Sequence, residues 1–379
     1  FLSLIFYPRE TLELLEATLQ DPAEWRVFCQ QTLRNLLDVV RVLARNYGSQ
    51  RASHLLPDNQ RELLQDLLYE PTNYQSAEAT DAIVESLVRY GRASQFIRLA
   101  VRVLRDMAID ELIIAGDFWD RGPRGDRVAD YLRRQPNVSI TWGNHDAAWL
   151  GACLGQEALI AHVLRISTRY RRLSQLEEGY GIIMEPLEHL VREVYADDPA
   201  SCFMPHGIGL RETTMIARMQ KAAAIMQFKL EGQTIQRNPE WNLEHRRLLH
   251  HIDLPAGTIK IDGVTRPLGD TRFPTIDPAR PYELSTAERI CIDRIRQSFS
   301  SSQKLWEQMC WMVQRGSMYL KRDDHLIFHG CVPVDANGEF LELVVDGQPR
   351  RGRALFDAIE KVVARVLNRP TDKERDLLW

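Results

Sequence analysis

The spacing of apolar residues along the chain predicts a helical start and a mixed remainder. Over the first 107 residues, apolar side chains recur every three or four positions, as in Leu12–Leu19, Val27–Leu43 and Ile83–Val103. This period predicts amphipathic helices. Pro57-Asp58-Asn59 is a turn and N-cap signal that predicts a further helix over Arg61–Leu68. None of these segments carries residues that indicate a chemistry.

The period changes after residue 107. Glu111–Ala115 and Val138–Trp142 are short, continuous apolar runs, which predict two buried strands. A polar loop follows each strand, and helices are predicted over about Asp126–Arg134, with Asp126 as the N-cap, and from Ala147 onward. This alternation is typical of a βαβ unit, in which binding sites form at the carboxyl ends of parallel strands.

The rest of the chain mixes helices with short strands. Predicted elements are the helices Glu185–Tyr195, Glu212–Glu231 and Arg353–Leu367, hairpins at Thr258–Leu268 and from Leu341 through Asp346-Gly347, and a buried strand at His325–Phe328. The predicted fold class is α/β with α+β elements: a β-sheet core flanked by helices, with an added helical N-terminal region. Four parts are predicted: helical residues 1–107, a first core part over 108–166, a helical and irregular insertion over 167–300, and a second core part over 301–379.

Composition narrows the class of protein. The chain is 44% hydrophobic and 26% charged, which is typical of a soluble globular protein. A net charge of -4 argues against a nucleic-acid partner, and the lack of a long apolar run argues against a membrane partner. The six cysteines form no CxxC pair, which favours reduced, mostly buried thiols in a cytoplasmic protein.

Two polar loops directly follow the two predicted strands. Gly116–Gly122 has the spacing GDxxDRG, and Gly143–Asp146 has the sequence GNHD. An aspartate or asparagine after a strand is, taken singly, more often a turn former or helix cap. The two loops on consecutive strands form a joint pattern that favours a metal site.

The residue types in these loops suit a pair of divalent ions. The Asp117 carboxylate can bridge two ions, and Asn144 offers a neutral carbonyl oxygen. His145 is placed to protonate a leaving alkoxide, and Asp120 is placed to orient that histidine. Arg121 offers a planar fork for two phosphate oxygens.

GDxxDRG followed by GNHD is similar to the metallophosphoesterase superfamily, which includes the Ser/Thr protein phosphatases. In that superfamily a later histidine, placed between a strand and a glycine, binds the second metal. His329, within Leu326–Pro333, matches that pattern. The resemblance implies that the predicted sheet is a metallophosphoesterase-like core.

Further blocks resemble the class III fructose-1,6-bisphosphatases of bacteria, and several of them are not shared with the protein phosphatases. They cover nearly the whole chain: Gly91-Arg92-Ala93, Asp120–Pro123, Trp142–Asp146, Ala223–Gly232, Asp270–Pro278, Gly316–Leu320 and His329–Pro333.

This resemblance implies a gluconeogenic enzyme of the cytoplasm that hydrolyses the 1-phosphate of fructose 1,6-bisphosphate by two-metal activation of water. Manganese is the implied ion, other divalent ions remain open, and a sugar bisphosphate is the implied partner. The implied metal ligands are Asp117, Asn144 and His329, and the implied catalytic residues are His145, Asp120 and Arg121. Assembly into a homo-oligomer is left open.

Two alternatives stay open at this point: a Ser/Thr-type protein phosphatase, which the helical N-terminal region weakens, and a non-catalytic truncated scaffold. Substrate contacts to the sugar and second phosphate are not assigned. Four cationic residues are candidates for these contacts, but exposed surface charge is the preferred interpretation of each: Arg124, Lys229, Arg237 and Arg272.

Two elements of the family's site have no counterpart in the sequence. The only Asp-x-His, Asp323-Asp324-His325, precedes a predicted strand rather than following one, and no histidine follows His329. We therefore expect residues 1–379 to be a fragment of a longer polypeptide. Alone, it is expected to bind manganese weakly and to hydrolyse little or nothing.

Overall fold

The computed structural model of the chain describes residues 2–47, 56–57, 60–62, 64–65, 74–135, 137–209, 211–368 and 370–379. Half of the helix predicted over residues 61–68, with Asp58 and Asn59 of its turn signal, lies outside the described residues, and residues 61, 62, 64 and 65 are helical. The chain divides into two compact units, Phe1–Leu112 with Gln135–Asn137, and Ile113–Arg134 with Val138–Trp379. The division of the chain into four parts stays a prediction.

The first unit is helical, as predicted. Its helices are α1 (Leu2–Phe6), α2 (Pro8–Thr18), α3 (Pro22–Tyr47), α4 (Tyr74–Arg89) and α5 (Ala93–Ala108). The apolar stripes of α3 and α5 form one core, in which Leu33, Leu36, Ile97 and Val101 are fully buried. The apolar period that runs through Ile83–Val103 is interrupted between α4 and α5, because Gly91 adopts a positive φ of 68° that helical residues do not.

The second unit is built from helices and short strands. Its helices are α6 (Gly125–Leu132), α7 (Asn144–Cys153), α8 (Glu157–Arg169), α9 (Glu185–Val194), α10 (Thr213–Arg237), α11 (Thr286–Ser301), α12 (Gln303–Arg315), α13 (Gly352–Asn368) and α14 (Asp372–Asp376). A π-helical turn covers Gln175–Gly179, and 3₁₀ turns cover Ser201–Phe203, Pro239–Trp241, Glu244–Arg246 and Leu249–His251.

Ten short strands complete the described chain. They are β1 (Leu112–Ile114), β2 (Val138–Thr141), β3 (Ile252–Asp253), β4 (Thr258–Ile261), β5 (Val264–Pro267), β6 (Gly316–Ser317), β7 (Tyr319–Arg322), β8 (His325–Phe328), β9 (Leu343–Val345) and β10 (Gln348–Arg350). The mixture confirms an α/β class in its broad sense.

One small sheet carries the two predicted site loops. Its strand order is β1-β2-β6, and β2 pairs with β6 in parallel through Ile140 opposite Gly316 and Thr141 opposite Ser317. The predicted hairpins at β4-β5 and β9-β10 are confirmed. Because β1 and β2 are neighbours, the loops that follow them leave the same sheet.

Four local predictions are wrong, the first being that β1 is buried, since all three of its residues are half-buried. The strand β8 forms as predicted but is not buried, since it pairs with β7 in a hairpin and Leu326 is 60% exposed. The helix predicted from Ala147 begins at Asn144, three residues earlier. Asp126 is not an N-cap: the N-cap of α6 is Arg124, and the buried Asp126 carboxylate lies 2.9 Å from the Arg124 guanidinium.

The interior of the second unit contains buried ion pairs around α10. Lys229 Nζ lies 2.7 Å from Glu288, with both side chains fully buried. Lys221 Nζ lies 2.6 Å from Asp198 and 2.7 Å from Asp270. The interpretation of Lys229 as exposed surface charge is therefore wrong. Glu288 compensates the buried charge of Lys229 but is 59 residues away in sequence, so no local pattern indicated the pair.

The other three cations interpreted as surface charge also have structural partners. Arg124 pairs with Asp126 and Glu178, Arg237 pairs with Asp376, and Arg272 donates to the Asp197 carbonyl oxygen.

The exposure of the six cysteines departs in part from the prediction. All six thiols are free, as predicted. Three are buried, Cys310 is half-buried, and Cys202 and Cys331 are exposed, so the prediction that most of the thiols are buried is correct for only three of the six. None of the described helices combines the length and the apolar character that crossing a membrane requires.

Candidate metal centre

The carboxylate of Asp146 joins the two site loops. It accepts hydrogen bonds of 2.9 Å from the backbone N–H groups of Asp117 and Phe118 in the first loop and of Gly143 in the second. The bond from Gly143, directly before α7, satisfies a donor at the start of the helix. These three bonds hold the two loops in a fixed relative position and explain why α7 begins at Asn144.

Asp146 is wholly buried, and this changes its acidity. The pKa of Asp146 is raised to about 7, chiefly by burial, and the nearby Asp117 charge acts in the same direction. The three backbone hydrogen bonds act in the opposite direction by stabilising the charged form. Burial therefore disfavours the ionised form of Asp146 more than the three hydrogen bonds stabilise it.

Asp117 stands in a strained and crowded position. Its φ of 49° lies in the left-handed region that non-glycine residues rarely adopt. Its Oδ1 accepts the backbone N–H of His145 at 3.1 Å, which turns the carboxylate toward the second loop. A Cβ on Gly143 would overlap this carboxylate, so glycine at that position allows the two loops to approach each other.

Asp120 and His145 form the pair that the sequence predicted. The His145 Nε2 lies 2.8 Å from Asp120 Oδ1, and the histidine side chain is only 11% exposed. The two atoms lie within ion-pair distance but do not form a hydrogen bond, because the buried Asp120 Oδ1 has no hydrogen-bond partner among the described residues. Ligand atoms of Asp117, Asp120 and His145 all lie within 4.8 Å of one another.

His329 reaches the same place from a distant part of the sequence. Its Nδ1 lies 2.6 Å from the Ala115 carbonyl oxygen, and its Nε2 lies 3.0 Å from Asp117 Oδ2. Because a carbonyl oxygen can only accept, Nδ1 carries a proton. Gly116, with a φ of 98°, makes room for the ring, since a Cβ there would lie 2.7 Å from Nδ1.

This donor set fits a divalent cation. With Nδ1 protonated, Nε2 of a neutral His329 can only accept, and it lies 3.0 Å from a carboxylate oxygen that also only accepts. Two acceptors at this distance require a proton or a cation between them. Carboxylate oxygens with imidazole nitrogens are ligands that first-row divalent metals accept. The carbonyl contact at the other ring nitrogen is the usual support for a metal-binding histidine.

The remaining two predicted residues lie at the edge of this group. Asn144 is exposed at the first position of α7 and lines a small cavity of about 310 Å³ that His329 and Gly330 also line. Arg121 is largely exposed; its Nε lies 3.4 Å from Asp120 and its guanidinium 5.5 Å from the Tyr170 ring centroid. The structure thus brings Asp117, Asp120, His145 and His329 into contact, with Asn144 and Arg121 beside them; their roles stay predictions.

Sequence reasoning missed two features of this region. Asp146 was visible in the GNHD motif, but which N–H groups it binds depends on β1 and β2 being neighbours. The second is His162, whose ring centroid lies 5.9 Å from that of His145. Burial lowers the pKa of His162 to about 4, so this ring is neutral at pH 7. Its position in α8 gave no signal beyond ordinary helical spacing.

Comparison with known proteins places this geometry in a family. The family model described as Firmicute fructose-1,6-bisphosphatase matches residues 1–379. Proteins named fructose-1,6-bisphosphatase class 3 are 36% identical over 388 residues in Listeria monocytogenes, 37% over 365 in Clostridium novyi and 37% over 389 in Parabacteroides distasonis. These alignments cover 100%, 95% and 100% of the chain.

The coverage of the relatives is smaller: the chain spans 59%, 54% and 58% of their lengths. No solved structure matches the chain. The match of the family model over every residue, together with loops that converge as the resemblance requires, leads to one conclusion. The chain belongs to the Firmicute fructose-1,6-bisphosphatase family.

Proposed function

We propose that this chain contributes the catalytic part of a metal-dependent fructose-1,6-bisphosphatase that removes the 1-phosphate. The observation that carries the proposal is the convergence of Asp117, Asp120, His145 and His329, from three separate segments, within a chain that the family model matches throughout. The names of the relatives support the same substrate.

Asp117, His329 and the neighbouring Asn144 are the proposed metal ligands, with manganese as the proposed ion. Two divalent ions, when bound, would supply positive charge that lowers the pKa of a water molecule and stabilises the phosphoryl group in the transition state. The oxygen-rich set with one imidazole suits manganese and also tolerates other divalent ions.

The side chains of the chain handle the proton and the phosphate. In hydrolysis a water oxygen bonds to phosphorus while the bond from phosphorus to the C1 oxygen breaks, so that the sugar oxygen must gain a proton. Nε2 of His145 lies 2.8 Å from Asp120, whose negative charge favours the protonated ring, and Nδ1 of that ring is left to deliver this proton. Arg121, largely exposed beside Asp120, is placed to bind oxygens of the transferred phosphate. The products are fructose 6-phosphate and inorganic phosphate.

The proposed partner is a small-molecule sugar bisphosphate, and the proposed setting is gluconeogenesis in the cytoplasm. The net charge of -4 supports a local rather than an extended phosphate-binding surface.

The test uses the intact protein encoded by the gene, freed of metal and then supplied with Mn²⁺. We expect release of phosphate from fructose 1,6-bisphosphate at about 1–10³ s⁻¹, with the 1-phosphate signal lost in ³¹P NMR and activity abolished by EDTA. Hydrolysis of a phosphoserine peptide but not of the sugar bisphosphate would assign the site to a protein phosphatase instead. Absence of both activities and of Mn²⁺ binding would favour a non-catalytic scaffold.

A further inference from the structure

A second feature of the same unit is a cavity that opens beside the metal centre. Its volume is about 680 Å³, within the usual range for small-molecule sites. Asn144 of α7 lines it at one end, and His162, Arg165 and Arg169 of α8 continue its wall. The cavity therefore begins next to His145, whose ring lies 5.9 Å from that of His162.

The cavity wall has an excess of positive charge. Three guanidinium groups line it, those of Arg165, Arg169 and Arg246, while Glu231 is the one carboxylate among the described lining residues. Three positive charges against one negative charge leave an excess of two. His162 does not add to it at pH 7, because burial lowers the pKa of His162 to about 4.

None of these arginines has an ion-pair partner within the described chain. Glu231 is bound instead by neutral donors, the Gln227 amide at 2.7 Å and the Trp379 indole at 3.1 Å. Arg165 donates through Nε to the Gln227 amide oxygen at 2.6 Å, which holds it in place without neutralising it.

Arg169 is the one of the three that has a buried donor, its Nε, without a hydrogen-bond partner among the described residues. Arg165 and Arg169 are one helical turn apart, so both side chains project from the same face of α8. Burying cationic donors without a counter-charge is unfavourable, and such groups are normally paired. An anionic ligand would supply what the protein does not.

We propose that this cavity binds the phosphate that is not hydrolysed, the 6-phosphate of the sugar bisphosphate, with Arg169 as the central contact and Arg165 and Arg246 beside it. The proposal rests on the proposed function, because it assigns the two ends of one substrate to neighbouring sites. Guanidinium groups suit it, since their planar fork matches two phosphate oxygens. The site would select sugar bisphosphates over phosphopeptides, which have no second phosphate at this distance.

Two measurements on the intact protein test the proposal: the affinity for fructose 6-phosphate in EDTA, by calorimetry, and kcat/KM with Mn²⁺ for fructose 1,6-bisphosphate and fructose 1-phosphate. The variant is Arg169→Met, and the control is Arg294→Met, which removes an exposed arginine on α11 that pairs with Glu185. We expect Arg169→Met to weaken fructose 6-phosphate binding about 10–100-fold, the usual size for a lost charged hydrogen bond. For fructose 1,6-bisphosphate, kcat/KM of the variant should fall by the same factor, through a higher KM. For fructose 1-phosphate, kcat/KM should not change.

The outcomes separate the two proposals. If the wild type hydrolyses fructose 1,6-bisphosphate and Arg169→Met behaves like Arg294→Met in both measurements, the 6-phosphate site is wrong and the function stands. If no sugar phosphate is hydrolysed but fructose 6-phosphate binding depends on Arg169, the function is wrong and the phosphate site stands. An equal loss on both substrates would also overturn the site. Circular dichroism checks that each variant is folded. If Arg169→Met is unfolded, the same two measurements are made on Arg246→Met, which lies on a short surface turn, and the same outcomes decide.

Discussion

Two regions of the second unit handle charge in opposite ways. In the ion-pair layer (Asp198, Lys221, Lys229, Asp270 and Glu288), each lysine ammonium is buried and lies within 2.7 Å of a carboxylate. At the loop edge (Gly116–Gly122, Gly143–Asp146 and His329), carboxylates and imidazoles crowd together with few cations to balance them.

The backbone differs in the same sense. Lys221 and Lys229 lie within the regular helix α10, whereas Asp117 adopts a positive φ and depends on glycines at positions 116 and 143. Strain and unbalanced charge both cost free energy, and folded proteins retain them mainly where function requires them. Balanced buried charges, in contrast, are explained by the fold alone. The comparison suggests that charge at the loop edge serves a ligand and charge in the ion-pair layer serves stability.

The largest expected effect is the loss of activity in Asp117→Asn. Asparagine keeps an acceptor for the His145 N–H but removes the negative charge that Asp117 would supply as a proposed metal ligand. We expect kcat on fructose 1,6-bisphosphate to fall about 10³-fold and Mn²⁺ binding to weaken, with no loss of thermal stability.

Asp262 provides a matched control for that substitution. It has nearly the same positive φ, 50°, but lies in the turn between β4 and β5. Asparagine tolerates this backbone conformation, so Asp262→Asn should leave activity and Mn²⁺ binding unchanged. Equal activity of Asp117→Asn and Asp262→Asn would remove the distinction drawn for the loop edge.

The next effect is on stability rather than activity. Lys229→Met leaves Glu288 buried without its counter-charge, which should lower the free energy of unfolding of the second unit by about 3–5 kcal/mol. Urea unfolding, followed by far-UV circular dichroism, measures the change, while kcat of the remaining folded protein should stay near wild type. The control is Arg280→Met, which breaks an exposed pair with Glu283 and should change stability by less than about 1 kcal/mol. Similar losses in both variants would mean that the buried pair is not a stabilising element.

The sequence predicted the loop edge better than the ion-pair layer, for a physical reason. Asp117, Asp120, Asn144 and His145 belong to short motifs whose position after a strand is itself a local signal. His329 lies 214 residues beyond Ala115, the residue its ring contacts, and only the resemblance pointed to it.

Elsewhere the deciding partner was remote and carried no motif. Lys229 was interpreted as exposed because Glu288 is 59 residues away in sequence. Asp126 was interpreted as a cap because only one of its two cationic partners, Arg124, is near in sequence, and the other, Lys304, is 178 residues away. Arg165 and Arg169 looked like the polar face of an ordinary helix, and nothing in the sequence distinguished two unpaired guanidinium groups from two solvated ones.

The smallest expected effect concerns Asp126, a structural charge of the ion-pair type that lies outside that layer. Burial alone would raise the pKa of Asp126, but hydrogen bonds from Arg124 and Lys304 outweigh it and lower the pKa from 3.8. Because the folded-state pKa lies below the unfolded one, the stabilisation is fully present above the unfolded pKa and is lost as pH falls through the folded pKa. Asp126→Asn should therefore cost about 1–3 kcal/mol at pH 7, and this difference from wild type should shrink below about pH 4. Urea unfolding of both proteins between pH 3 and pH 7 measures it. A difference that stays constant or grows on acidification would mean that Asp126 stabilises the fold through packing and not through its charge. Burial of a carboxylate beside two cationic side chains would then not by itself show that the ion pair stabilises the fold.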